Sequence, residues 1–240
     1  MLIFCSIGTT GYEKKDAICA VGLIAFKADS YLQHAYDRIN EGKKIAAEAS
    51  AIHAITNEMI IDAPAFLQST TGCFLAQHNS EENILVAHNA TALLEMFQRS
   101  GLHWHGEVID TMRLTKHLIE DVLKYDLAYL RYELRLYHHE AALKELCGIK
   151  DAFCLHHALG DALYIRLLYA YHAQSIDTKE MLLLSHKRVL LTKFLFGKYV
   201  GRYIEEIAQL NRDYLVWMQN LEDLDEDLHY SLGYYLEQNY

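Results

Sequence analysis

Proline is almost absent from the 240-residue chain. Pro64 stands alone, and no Gly/Ser-rich or low-complexity tract interrupts the sequence. No stretch therefore has the composition of a flexible or extended linker, and a domain boundary has to be sought in changes of hydrophobic pattern. The five cysteines, Cys5, Cys19, Cys73, Cys147 and Cys154, form no CxxC pair. An odd number without that spacing argues against a disulfide framework or zinc ribbon and for reduced thiols. Cys147 and Cys154 beside His156 and His157 match no common zinc pattern either. No apolar run approaches the ~18 residues of a membrane span, and the apolar start "MLIFCSIG" has no basic leader. The expectation is a cytoplasmic protein with no membrane segment. Basic residues are also scarce, 22 Lys and Arg against 32 Asp and Glu, for a formal charge of −10. That balance argues against a surface that grips phosphate backbones non-specifically, which needs clustered Lys and Arg.

Hydrophobic residues make up 52% of the chain and charged residues 22%, enough for a sizeable folded core. The charge is unevenly placed. From His186 to Arg202, "HKRVLLTKFLFGKYVGR" carries Lys187, Arg188, Lys193, Lys198 and Arg202 with no acid, whereas "EDLDED", Glu222 to Asp227, is wholly acidic. Two solvated faces and a binding patch are both compatible with this pattern.

The hydrophobic period divides the chain. "LIFCSI" reads as a short strand, and Ala17 to Phe26, "AICAVGLIAF", as a longer one, apolar enough to be buried on both faces. "YLQHAYDRIN" follows as a more exposed third strand, which predicts an antiparallel meander. Between Ser50 and His78 the pattern predicts two helices separated near Pro64. "NILVAH" is a compact buried strand, and "NATALLEMFQRSG" a helix with Asn89 near its start and Gly101 as a C-terminal stop. "GEVIDTMRLTKHL" gives a fifth strand passing into helix, and helix dominates from there to His172. Strands in a hairpin run, then strands alternating with helices, predict an α/β sheet of mixed direction. The segment from about Ser175, helical except at "FGKYVG", is a candidate second module. The expected division is 1–174 and 175–240.

Four stretches, in this order, resemble the DEDD-type 3′–5′ exonuclease family, the group that contains the epsilon proofreading subunit of DNA polymerase III. "IFCSIGTTG" is similar to the family's Asp-x-Glu-Thr-Thr-Gly, and "IHAITNEMIIDAPAF" to its Ile-His-Gly-Ile-Thr segment. "VAHNATALLEMF" is similar to His-Asn-Ala-x-Phe-Asp, and "HHALGDA" to His-x-Ala-x-x-Asp-Ala. Residues Phe196 to Met218 and the acidic stretch after them resemble a small module at the C-terminus of some bacterial exonucleases of the exodeoxyribonuclease X type. The resemblance implies a ribonuclease H-like fold, a five-stranded mixed sheet flanked by helices, with a small, mainly helical C-terminal module.

The family hydrolyses a terminal phosphodiester with two divalent ions about 4 Å apart. Magnesium or manganese in such a site demands hard, charged oxygen ligands. Carried over position by position, the first aspartate falls on Ser6, the first glutamate on Gly8 and the second-motif aspartate on Leu93, with Ala92 in place of the preceding aromatic. Asp161 is retained, as is His156, the family's general base. A hydroxyl, a hydrogen atom and an alkyl group offer neither the charge nor the oxygens to hold two cations. The resemblance leaves Asp161 as a weak metal ligand at most. Glu13, Asp16 and Glu95 are the nearby acids that would have to substitute. Thr9, Thr10, His88 and Asn89 are the candidate nucleic-acid contacts of the cleft, and Lys193, Lys198 and Arg202 those of the C-terminal module. Turn chemistry accounts for Thr9, Thr10 and Gly11 as well as nucleotide contact does.

The expected function is an exonuclease-fold protein of nucleic-acid metabolism, without metal-dependent nuclease activity and without a cofactor, acting by binding or scaffolding. Two alternatives stand beside it. One is an active 3′–5′ exonuclease with an altered magnesium or manganese site. The other is a protein-interaction subunit with a filled cleft, its anchors supplied by the tyrosines of "YLRYELRLYHH" and "HYSLGYYLEQNY".

Overall fold

A computed structural model of the chain describes residues 1–238 apart from 12, 14, 29, 120, 121, 151, 152, 155 and 223. One residue of the acidic run and the last two of the Tyr-rich tail therefore lie outside the described residues. The sheet is built from β1 (Leu2–Thr9), β2 (Ile18–Lys27), β3 (Ser30–Arg38), β4 (Ile84–Ala87) and β5 (Glu107–Asp110). Its order is β3-β2-β1-β4-β5. The pairs β1–β2 and β2–β3 are antiparallel, and β1–β4 and β4–β5 are parallel. The near-continuous apolar run of β2 has its cause here, since all its residues but Lys27 are buried, as expected for an inner strand covered on both faces.

The described residues form twelve helices: α1 (Ala47–His53), α2 (Asn57–Ile60), α3 (Thr70–Gln77), α4 (Ala90–Arg99), α5 (Thr111–Leu118), α6 (Leu127–Glu133), α7 (Glu140–Leu146), α8 (Ala158–His172), α9 (Thr178–His186), α10 (Ile204–Leu210), α11 (Arg212–Gln219) and α12 (Glu226–Glu237). The span expected to hold two helices around Pro64 folds instead as α1, α2, a 3₁₀ turn over Phe66–Gln68 and α3. Two local features divide it. Ala54 ends α1 in the left-handed region at φ 58, and Ser69 caps α3 by accepting from the Gly72 N–H.

Side-chain alternation splits the core in two. Phe4, Ile24, Phe26, Val86 and Ile109 face α8. Ile3, Cys5, Val21, Leu23 and Leu85 pack on the other side with Phe97 of α4. The first turn of α8 sits directly on β2 at Gly22, where a Cβ would come 2.1 Å from the Leu159 nitrogen. Only glycine allows that approach.

The C-terminal region has its own core, with Val189, Phe194, Ile204, Leu215, Leu228 and Leu232. Met181 of α9 lies in the α8-side core, so the second core starts at Val189 rather than at residue 175. One buried carboxylate joins the two parts. Asp227 on α12, 3% exposed, accepts from Arg113 at 3.0 and 3.2 Å and from the Val189 N–H at 2.9 Å. Arg113 also donates to the Lys187 carbonyl at 2.6 Å. No helix among the described residues is long and apolar enough to cross a membrane.

Candidate functional site

Ser6 and Gly8 lie two apart on β1, on the face that α8 covers, paired with Gly22 and Ala20 of β2. Asp161 belongs to the first turn of α8, the helix seated on Gly22. Three of the four positions that the resemblance assigns to acids are thus grouped at one end of the central strand. Leu93 comes from α4 on the other side of the sheet: it is 4% exposed, packs with Cys5, Ala87 and Phe97, and lines the same hollow as Ser6.

The Asp161 carboxylate has no hydrogen-bond partner among the described residues, and burial pushes its acid up to about 7. A carboxyl with no cation or donor to compensate its charge keeps its proton more tightly. Among the described residues, no three His, Cys, Asp or Glu side chains converge to hold a metal ion. A hydroxyl, a glycine, a buried leucine and one desolvated acid do not fit a pair of divalent cations. Of the acids that might substitute, Asp16 is engaged in the turn after β1. Glu13 and Glu95 reach the rim of the cleft, and Glu13 pairs there with Lys15 at 2.7 Å.

That turn explains the Thr-Thr-Gly sequence. The Thr10 hydroxyl donates to Asp16 Oδ1 at 3.0 Å and accepts from the Ala17 N–H at 3.0 Å. The other Asp16 oxygen accepts from the Glu13 N–H at 2.7 Å and lies 2.5 Å from where a Cβ on Gly11 would stand. Thr10 is 1% exposed, so the structure removes it from the candidate nucleic-acid contacts, its hydroxyl being wholly used in the turn. Thr9 lines the cleft and donates to the Gly11 carbonyl at 2.9 Å. Behind it, His53 of the Ile-His-Ala-Ile-Thr segment accepts from the Ile55 N–H at Nδ1, which leaves Nε2–H to donate to the Thr9 carbonyl at 3.1 Å. Burial holds this imidazole below its ordinary pKa, consistent with a neutral brace for the strand end.

The second motif is held by an acid outside the metal positions. Asp110, 3% exposed, accepts from Met112 and Arg113 at the start of α5 and from Asn89 and Ala90 at the start of α4. It thereby satisfies donors of two helix N-termini at once. Asn89 precedes α4 with φ 65 and no side-chain cap bond. The expected cap is therefore supplied by Asp110, and the Asn89 amide lines the cleft instead. His88 donates from Nε2 to the Tyr125 carbonyl at 2.6 Å, and its Nδ1 lies 3.0 Å from the Thr111 hydroxyl. His156 adopts φ 57 just ahead of α8.

Two adjoining hollows result. The first, of about 310 Å³, is lined by Ser6, Thr9, His88, Asn89, Leu93 and Arg99 among others. The second, of about 730 Å³, shares His88 and Asn89 and is bounded by Tyr125, Asp126 and His156. The structure thus brings together Thr9, His88, Asn89 and His156, while Asp161 lines neither hollow. Lys198 sits on the module with its ammonium 4.9 Å from the Tyr199 ring, and Arg202 is paired with Glu206. Sequence reasoning missed Arg99, which donates to the Asp16 carbonyl at 3.3 Å, and the Lys116–Tyr125 wall. Both depend on contacts between distant segments.

The sequence model of the Exonuclease family matches residues 7–169, and that of the Exodeoxyribonuclease X-like C-terminal module matches residues 194–222. Exodeoxyribonuclease 10 of Escherichia coli is 27% identical over 228 residues, spanning 92% of this chain and 91% of that protein. A DNA polymerase III subunit epsilon-like protein of Rhodobacter capsulatus is 30% identical over 149 residues, 58% of this chain and 19% of its own length. Among solved structures, exonuclease X in complex with 5′ overhanging duplex DNA superposes with a TM-score of 0.60 at 21% identity, covering 77% of this chain and 99% of that one.

Proposed function

Because the chain belongs to the Exonuclease family, we propose that it serves nucleic-acid metabolism by holding a strand end in the family cleft without hydrolysing it. The observation that carries this reading is the donor set: Ser6, Gly8 and Leu93 stand at three positions where the family chemistry needs carboxylates, and Asp161 alone of the four is an acid. Binding does not need those acids. The first hollow has an apolar floor of Ala92, Leu93 and Met96 with the Asn89 amide and Thr9 at its edge, a composition suited to a base or sugar held by a few polar contacts. His156, at the mouth of the second hollow, adds an imidazole that can donate to a phosphate oxygen.

A 3′-labelled oligonucleotide followed by anisotropy, with its length checked by mass spectrometry after incubation with manganese, tests this. Saturable binding with full-length recovery is expected, and Asn89→Ala and His156→Ala weaken the binding. Shortening of the strand that is abolished by chelator and by Asp161→Ala would establish the alternative, an active enzyme with an altered metal site.

A protein-interaction role is favoured by one separate feature. Leu210, Val216 and Trp217 on α10 and α11 are 69%, 44% and 57% exposed, an apolar surface on the module that lines neither hollow of the cleft.

A further inference from the structure

We propose that a second copy of this chain seats α11 of its C-terminal module in a groove between α7 and α8, and that two copies do so reciprocally. The proposal rests on the protein-interaction feature of the module described above, for which it names the partner, and not on nucleic-acid binding in the cleft.

The groove is the first support. A hollow of about 530 Å³ lies between α7, α8 and the 3₁₀ turn Leu136–His139, and it shares no residue with the cleft among the described residues. Its floor, with Leu136, Leu143 and Leu167, continues the α8-side core. Leu146 and Tyr171 also line it and are 57% and 37% exposed. An extended segment laid against these helical walls would face Leu and Ala side chains with its own N–H and C=O groups unpaired. A helix arrives with them paired.

Charge selects among helices. Arg135, His138 and His139 line the groove, and no Asp or Glu does among the described residues, in a chain with 32 acids. Arg135 holds φ 54 just past α6, a position where glycine is the usual residue. Its guanidinium makes no ion pair among the described residues. Arg166, by contrast, is engaged on the Phe26 and Phe4 rings, 4.9 and 5.5 Å away. Of the acids on the surrounding elements, Glu133 accepts from the Tyr129 hydroxyl, Glu140 is paired with Arg131, and Asp177 caps α9. Glu145 stands on a flank of α7 that does not line the hollow, and Asp151 lies outside the described residues. The groove thus suits a helix with an apolar stripe and an acid beside it.

The chain carries such a helix itself. On α11, Leu215 and Met218 are buried in the module core, while Asp213, Val216, Trp217 and Asn220 form an exposed stripe at helical spacing. Glu205 and Glu222 are exposed on either side of it in sequence. The cations nearby are engaged: Arg212 donates to the Leu236 carbonyl, and Lys198 lies over the Tyr199 ring. Trp217 is the kind of large aromatic that anchors an interface, and Asp213, one turn before it, is the acid assigned to the Arg135 rim. One helix in one groove is small beside the roughly 800 Å² per partner of a standard interface. A reciprocal pair about a two-fold axis doubles it.

Sedimentation equilibrium of the intact chain tests this. The parent should show a monomer–dimer equilibrium between micromolar and millimolar concentration. Leu146→Gln and Trp217→Gln, both at exposed positions, should each weaken it at least about tenfold, with the thermal midpoint of the dilute monomer unchanged. Arg135→Glu and Asp213→Arg should each self-associate at least about tenfold more weakly, because like charges then meet in both contacts. Mixed one to one, these two variants should pair as tightly as the parent, since each contact again joins opposite charges. None of these readings involves oligonucleotide binding, so the cleft reading stands or falls separately. A parent that stays monomeric throughout, growth beyond a dimer, a dimer indifferent to Leu146→Gln or Trp217→Gln, or a mixture no more associated than its components would overturn the proposal.

Discussion

Asp161→Asn should make this protein more stable at neutral and alkaline pH, whereas in a working metal site the same change would remove a ligand. The folded state raises the Asp161 acid from 3.8 to about 7, so it retains a proton that the unfolded chain has already released. Between about pH 4 and pH 7 the unfolded state therefore binds fewer protons, and this group's contribution to stability falls as pH rises, reaching its full penalty above 7. A shift of about three units corresponds to roughly 4 kcal/mol as a ceiling. Relaxation and water entry reduce it, leaving about 2 to 4 kcal/mol in favour of a neutral amide at this position at pH 8. For a chain of this size that is on the order of 5–10 °C in Tm. The assay is thermal and urea unfolding of both forms across pH. At pH 4.5 the difference should shrink to within about 1 kcal/mol, since the parent is then protonated as well. Buried histidines such as His172, lowered to about 4 by burial, cost stability as pH falls below 6.5, and this cancels between the two forms. An Asn variant no more stable at pH 8, or equally stabilised at pH 4.5, would refute the argument by showing that the carboxylate has a compensating partner.

Three further outcomes follow from the packing. Ala54→Gly should stabilise by about 0.5–1 kcal/mol, measured by urea unfolding, because Ala54 sits at φ 58, where the Cβ strain of about 1–2 kcal/mol exceeds the added entropy cost of glycine. Asp227→Ala should cost about 3 kcal/mol or more by leaving Arg113 and the Val189 N–H without their acceptor, and limited proteolysis should then cut between α9 and Val189. The triple change Ser6→Asp, Gly8→Glu and Leu93→Asp should lower stability without metal, since Leu93 is 4% exposed, and regain part of it with manganese by mass action. The Gly8 position admits a Cβ, which would meet the Ala20 Cβ at 3.4 Å, an ordinary contact. A melting temperature indifferent to manganese would mean that Leu93 points away from the other three positions.

Much of the fold is legible in the sequence because its signals are local. The apolar run of β2, the more exposed alternation of β3 and the order of the four family-like stretches specify the strands and their mixed direction. The site is legible only as positions. Nothing near Asn89 in sequence indicates that Asp110, twenty-one residues on, supplies the N–H acceptors for α4, so the usual reading of an Asn at a helix start misassigns its side chain. Thr10 is indistinguishable from Thr9 until Asp16 folds over Gly11 and buries it. The placement of α9 is hidden for a similar reason. Its apolar residues suit either core, and the contact of Met181 with the α8 side follows from tertiary packing alone.

The measurement that bears most directly on the account is a manganese titration followed by electron paramagnetic resonance, in which bound ions lose the sharp signal of the free hydrated ion. The donor set of Ser6, Gly8, Leu93 and Asp161 predicts a signal that grows with added manganese as it does in buffer, up to millimolar concentration, in the parent and in Asp161→Ala alike. Two ions per chain bound at micromolar concentration in the parent, and lost in Asp161→Ala, would contradict it.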